Sequence, residues 1–211
     1  MKGMVFFCLL TALNTFIIIT AIDIMLMGLP SLRLSGKCRV PEFLISSRNL
    51  SKGNRIDFQS GMECSAYSCA FLLRHFGRET TGEELYREIT GRRKDGTVYP
   101  GGVRRLLSGH GLTCTYCTGS LEALKNEVSK GAPVIVLIRT YPNRKWLHYV
   151  PVVGFDRECI FIAESLAELA NCQGTGYNRK IPVKGFRKLW NTSMLKMPLY
   201  RNTFFVVSTP E

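Results

Sequence analysis

Residues 59–77 read Gln59-Ser60-Gly61-Met62-Glu63-Cys64-Ser65-Ala66-Tyr67-Ser68-Cys69-Ala70-Phe71-Leu72-Leu73-Arg74-His75-Phe76-Gly77. Ala66, Cys69, Ala70, Leu73 and Phe76 recur at helical spacing, and Gly77 ends the run. The stretch predicts a buried helix with Cys64 at its mouth. A thiol is a weak nucleophile until its proton is removed. The first turn of a helix offers unpaired N–H groups and a partial positive charge, both of which favour the thiolate. Gln59, five residues earlier, adds a side-chain amide donor.

Downstream, Thr81 is placed to cap a second short helix through Glu88, with Glu83 and Glu84 near its positive end. Pro100-Gly101-Gly102 precedes a third helix over 103–107, and 112–117 reads as a short strand. Ser120 caps a helix over 121–129 that Gly131 stops. The pattern then changes. Residues 133–139 read as a buried strand, and 148–154 and 159–163 as two more, turning through Asp156-Arg157. A short helix over 186–190 and a strand over 203–207 follow. Helices first and mostly antiparallel strands second predict an α+β domain.

The chain has three histidines, so a base for Cys64 follows by elimination. His75 lies eleven residues along the same helix, roughly 16 Å away at 1.5 Å per residue. His110, in Gly109-His110-Gly111, reads as a turn or cap residue. His148 opens an apolar strand, where an imidazole can be held rigidly, and is the candidate base.

These blocks together resemble a family. Gln59-x4-Cys64 followed by residues 70–77, Gly131-Ala132-Pro133-Val134-Ile135-Val136, the run 148–156, and Phe186-x3-Trp190 are similar to the bacteriocin-processing (double-glycine) peptidases and their stand-alone relatives. The likeness covers about 59–207. It implies a papain-like cysteine peptidase fold, with the first helices packed on a mostly antiparallel sheet. It implies Cys64 as nucleophile, His148 as base and proton donor, and Gln59 with the Cys64 N–H as oxyanion hole. The substrate would be a peptide, cleaved after small residues such as Gly-Gly, and a separate export transporter is a candidate partner. No cofactor is expected.

The chain departs from that pattern twice. Ser65 stands where the family usually has Gly, and Glu164-Ser165 where it usually has Asp-Pro. Glu164 is the candidate for orienting His148, with Asn171 and Asp156 as alternatives. The departures motivate a rival reading, a catalytically weakened peptide-binding module. Acyl or peptidyl transfer is a further alternative, since an amine can resolve an acyl-enzyme in place of water.

Residues 4–22 form an uncharged, mostly apolar run of a length that spans a bilayer core. The expected organisation is an anchor or signal-anchor over 1–32, a basic linker over 33–57, and the peptidase-like domain over 58–211. A single-pass membrane location follows, with the side left open. Lacking a Walker-type Gly-x4-Gly-Lys-Ser/Thr, the sequence does not read as a transporter. The net charge is +12, and residues 169–210 carry basic groups without an acid. Such a balance suits an anionic membrane or polyanion, and neutralising Arg179, Lys180 and Lys184 would test the latter. Without a basic motif interleaved with aromatics, nucleic acid is not an expected partner. Outside Cys8, seven cysteines leave an odd thiol, which fits a free reactive group. Cys114 and Cys117 have a Cys-x2-Cys spacing without a second pair, and on a strand they face opposite sides.

Overall fold

The computed structural model describes residues 2–27, 32–45, 54–174, 176–195 and 197–210. An apolar helix, α1 (Lys2–Met27), comes first. Its 2–22 segment is long and apolar enough to cross a membrane, and a signal sequence shares those properties. Two short strands follow, β1 (Leu32–Leu34) and β2 (Phe43–Leu44). Next come α2 (Cys64–His75), α3 (Gly82–Glu88), α4 (Pro100–Gly109), β3 (Thr113–Gly119) and α5 (Leu121–Val128). The remainder is β4 (Val134–Arg139), β5 (Leu147–Phe155), β6 (Cys159–Ile162), a 3-10 turn at Ala167–Leu169, β7 (Arg179–Pro182), α6 (Val183–Trp190) and β8 (Thr203–Ser208).

The order is α+β, and among the described strands every pairing is antiparallel except β1 with β3. The sheet runs β1-β3-β8-β4-β5-β6-β7, with β2 on β5. Helices cover both faces. Ile135 and Leu137 pack with α2, α3 and α4, while Val134, Val136 and Ile138 pack with α5 and α6. That explains the unbroken apolar run of β4, since a strand buried on both sides has no polar face to alternate with.

Local signals set the helix ends. Thr81 Oγ1 accepts from the Glu84 N–H, and Glu84 returns the bond to the Thr81 N–H, a full capping box. Ser120 caps α5 through the Ala123 N–H. In α6 the sequence buries Phe186, Leu189 and Trp190 on one side and exposes Lys184, Arg187 and Lys188 on the other. Trp190 packs against Phe186 and Phe204, and its indole N–H donates to the Thr203 carbonyl at 2.9 Å.

β2 lies within the stretch expected as a linker. It reaches β5 because Gly154 has no side chain: a Cβ there would stand 2.6 Å from the Phe43 carbonyl oxygen. The adjoining Ile45 N–H donates to the Val153 carbonyl at 3.0 Å, and the Ile45 side chain is buried.

Candidate active site

Cys64 is the first residue of α2, and no side chain caps that helix. The Glu63 carboxylate instead turns back to accept from the Ser60 and Gly61 N–H groups at 3.3 and 3.2 Å. This shapes the loop between Gln59 and the helix and leaves the helix mouth to the thiol. α2 itself is fixed against the sheet by Ser68, whose hydroxyl donates to the Tyr149 carbonyl on β5 at 2.9 Å.

His148, on β5, is 3 % exposed. Its Nε2 is 2.7 Å from Glu164 Oε1, and the Cys64 side chain lies near enough to act electrostatically on the ring. With Nε2 taken by the carboxylate, Nδ1 is the nitrogen left for sulfur. Burial by itself lowers the pKa of the imidazole. The Glu164 carboxylate and the Cys64 sulfur outweigh that and push it up to about 10.

Glu164 lies just beyond β6 and is fully buried. Oε1 also accepts from the Leu166 N–H at 2.9 Å, and Oε2 accepts from Arg179 Nη1 at 2.7 Å. Its backbone is gripped from both sides by Asn178, which accepts from the Glu164 N–H and donates to the Glu164 carbonyl. Burial acts to raise the pKa of this carboxyl, but His148, the Leu166 N–H and Arg179 together hold it below the ordinary range. The longer side chain is therefore accommodated by a dedicated set of donors.

The other expected positions resolve differently. Asp156 accepts from the Glu158 and Cys159 N–H groups and forms the β5–β6 turn. Asn171 exchanges two hydrogen bonds with the Lys180 backbone. Neither bonds His148. Gln59 is tied to Ser165: its N–H donates to the Ser165 carbonyl at 2.9 Å, and its Oε1 accepts from the Ser165 hydroxyl at 2.6 Å. Gln59 Nε2 donates one hydrogen to the Gly61 carbonyl at 2.6 Å. His110 caps α4 and meets Glu88 at 2.9 Å. All eight cysteines are free. Cys114 and Cys117 join different core clusters on opposite sides of β3, so their sulfurs do not converge.

Three site residues escaped sequence reading: Arg179, Asn178 and Ser165. Arg179 lies in the acid-free basic stretch, where the sequence sets it beside Lys180 and Lys184 as a residue to neutralise in a test of polyanion binding. The structure corrects that grouping: Arg179 is buried and spent on Glu164, while Lys180 and Lys184 are exposed. No local pattern separates a buried Arg from solvated ones. The one available signal was its alternation with Ile181 along β7.

Residues 52–194 match the Peptidase_C39 like family. The chain belongs to that family. No curated protein matches the sequence. Among solved structures, this C39-like chain is similar to a double-glycine-motif protease from an AMS/PCAT transporter in complex with a leader peptide. The TM-score is 0.54 at 17% identity, over 76% of this chain and 97% of that one. It is similar to the peptidase domain of Streptococcus ComA, a bi-functional ABC transporter of a quorum-sensing pathway: TM-score 0.58, 15% identity, 75% of this chain and 100% of that one. It is also similar to the Carica candamarcensis cysteine protease CMS1MS2 in complex with E-64: TM-score 0.52, 12% identity, 82% and 100% coverage. At these identities the likeness establishes the fold of the C39-like chain, which is papain-like.

Proposed function

We propose that this chain is a thiol-dependent peptidase that cleaves a peptide after small residues such as Gly-Gly. The observation that carries the reading is a thiol at a helix mouth beside an imidazole whose Nε2 is held at 2.7 Å by a buried carboxylate. On this reading His148 takes the Cys64 proton and so activates the sulfur as nucleophile.

In the proposed reaction, Cys64 Sγ attacks the scissile carbonyl carbon. A C–S bond forms, and the carbonyl π pair moves onto oxygen. The second Nε2 hydrogen of Gln59 and the Cys64 N–H receive that oxyanion. As it collapses, the C–N bond breaks and His148 gives its proton to the departing amine. Water then attacks the thioester while His148 takes a proton from it. The second tetrahedral intermediate collapses with the C–S bond breaking, and the electron pair and the His148 proton return to Cys64 Sγ. The acid product leaves, and the site returns to its starting protonation. Glu164 holds the ring plane through both halves of the cycle.

α1 would anchor the domain at a membrane, and a separate export transporter is the partner this reading favours. The similar domains bear on both points: one comes from a transporter and was captured with a leader peptide, and another is part of an ABC transporter.

The test is cleavage of a synthetic peptide carrying an internal Gly-Gly, followed by mass spectrometry. Cys64→Ala is expected to lower cleavage by at least about 10³-fold, and iodoacetamide is expected to label Cys64 rapidly at mildly acidic pH. Persistent cleavage by Cys64→Ala would sink the proposal. Sluggish labelling with no cleavage by the parent protein would favour the peptide-binding module.

A further inference from the structure

We infer that Ser165 is a positioning residue that aims the amide of Gln59 into the oxyanion site; the inference rests on the peptidase reading above. The Gln59–Ser165 contact has two points. The backbone N–H of Gln59 donates to the Ser165 carbonyl at 2.9 Å, and the Ser165 hydroxyl donates to Gln59 Oε1 at 2.6 Å. Ser165 is buried and adjoins Glu164 in the chain. Two adjacent residues therefore fix the carboxylate that orients the imidazole and the amide proposed to receive the oxyanion.

The chemistry of an amide explains why the hydroxyl matters. A Gln side chain has one acceptor end and one donor end, and rotation about its last torsion exchanges them. In this structure the Ser165 O–H claims the acceptor end. The Gly61 carbonyl claims one of the two Nε2 hydrogens at 2.6 Å. With both contacts in place the amide plane is fixed, and one N–H has a single direction left. Without the Ser165 hydroxyl the amide can pivot about its bond to Gly61, and the remaining N–H loses its aim. The segment just beyond β6 thus serves both halves of the site, using two consecutive residues.

The experiment separates oxyanion binding from thiol reactivity in the full-length protein. The first probe is an acetylated peptide ending in glycyl-glycinal, which forms a hemithioacetal whose oxyanion needs the amide donor. The second is iodoacetamide, whose displacement reaction needs no such donor. Ser165→Ala is expected to weaken aldehyde inhibition and lower kcat by about tenfold, the worth of one hydrogen bond, while the iodoacetamide rate at Cys64 and the KM stay within about twofold. Ser165→Thr keeps the hydroxyl and is expected to restore both lost quantities. In a Gln59→Ala background, Ser165→Ala is expected to add no further loss. Unchanged aldehyde binding in Ser165→Ala would overturn the inference. So would parallel loss of aldehyde binding and alkylation, or failure of the Thr variant to rescue, since both mark a purely structural role. A parent protein inert to both probes would bring down the peptidase reading itself, an outcome distinguishable because it appears before any substitution is made.

Discussion

At the scale of single residues, the buried His148–Glu164–Arg179 chain decides the electrostatics of the site. Two positive groups share one carboxylate, so removing Glu164 strands buried positive charge, while removing either cation leaves the other paired. Glu164→Gln removes the negative charge that raises the imidazole. The alkaline limb of kcat/KM, and the His148 ring titration followed by NMR, are expected to move to lower pH from about 10. The sign for stability follows from the same shifts. The raised His148 contributes stability at and below its ordinary range and loses it as pH climbs through about 10. The lowered Glu164 contributes above the ordinary carboxylate range and loses it as pH falls through its depressed value. Arg179→Met is expected to cost about 1–3 kcal/mol in urea unfolding, because Glu164 Oε2 is left buried without its donor while Oε1 stays paired with His148. It is also expected to lower kcat more than it raises KM, because a carboxylate held at Oε1 alone orients the ring less firmly.

At the scale of elements, Gly154 makes a sharp test of how β2 joins the sheet. A Cβ at that position meets the Phe43 carbonyl, a backbone atom that cannot rotate away. Gly154→Ala is expected to cost about 1–3 kcal/mol and to strip hydrogen-exchange protection from the Ile45 amide, which now bonds the Val153 carbonyl. Unchanged protection would refute this account. The long, periodic segments were legible in the sequence: the run from Ala66 to Phe76, the caps Thr81 and Ser120, and the apolar strands at Val134 and His148 all stand where pattern and propensity place them. β1, β2 and β7 were not: β1 and β2 are only three and two residues long, and β7 begins Arg179-Lys180, which lacks the apolar run that marks the equally short β6. Cys64, His148 and Glu164 could be named from spacing and resemblance. Arg179 and Ser165 could not, because a buried cation and a hydroxyl tied to an amide look like ordinary polar residues until the chain is folded.

At the scale of the whole molecule, the basic surplus is partly internal. Arg74 as well as Arg179 is buried, bonding the Arg55 and Thr80 carbonyls and pairing with Asp57. Lys184, Arg187 and Lys188 carry the outward charge on α6. The sheet depends on a strand distant in sequence from its neighbours. β8 pairs with β3 on one side and β4 on the other. A chain ending at Asn202 is expected to lose its cooperative unfolding transition in urea, because the sheet then falls into two halves with exposed apolar faces. A sharp transition retained by that truncation would show that β8 is dispensable. For a chain emerging from a ribosome, this placement imposes a sequence of events. The sulfur is synthesised early, but the strand that welds the sheet together arrives only near residue 208. On the proposed reading, the nascent polypeptide carries an unfinished scissors whose blades close only once translation has passed that point.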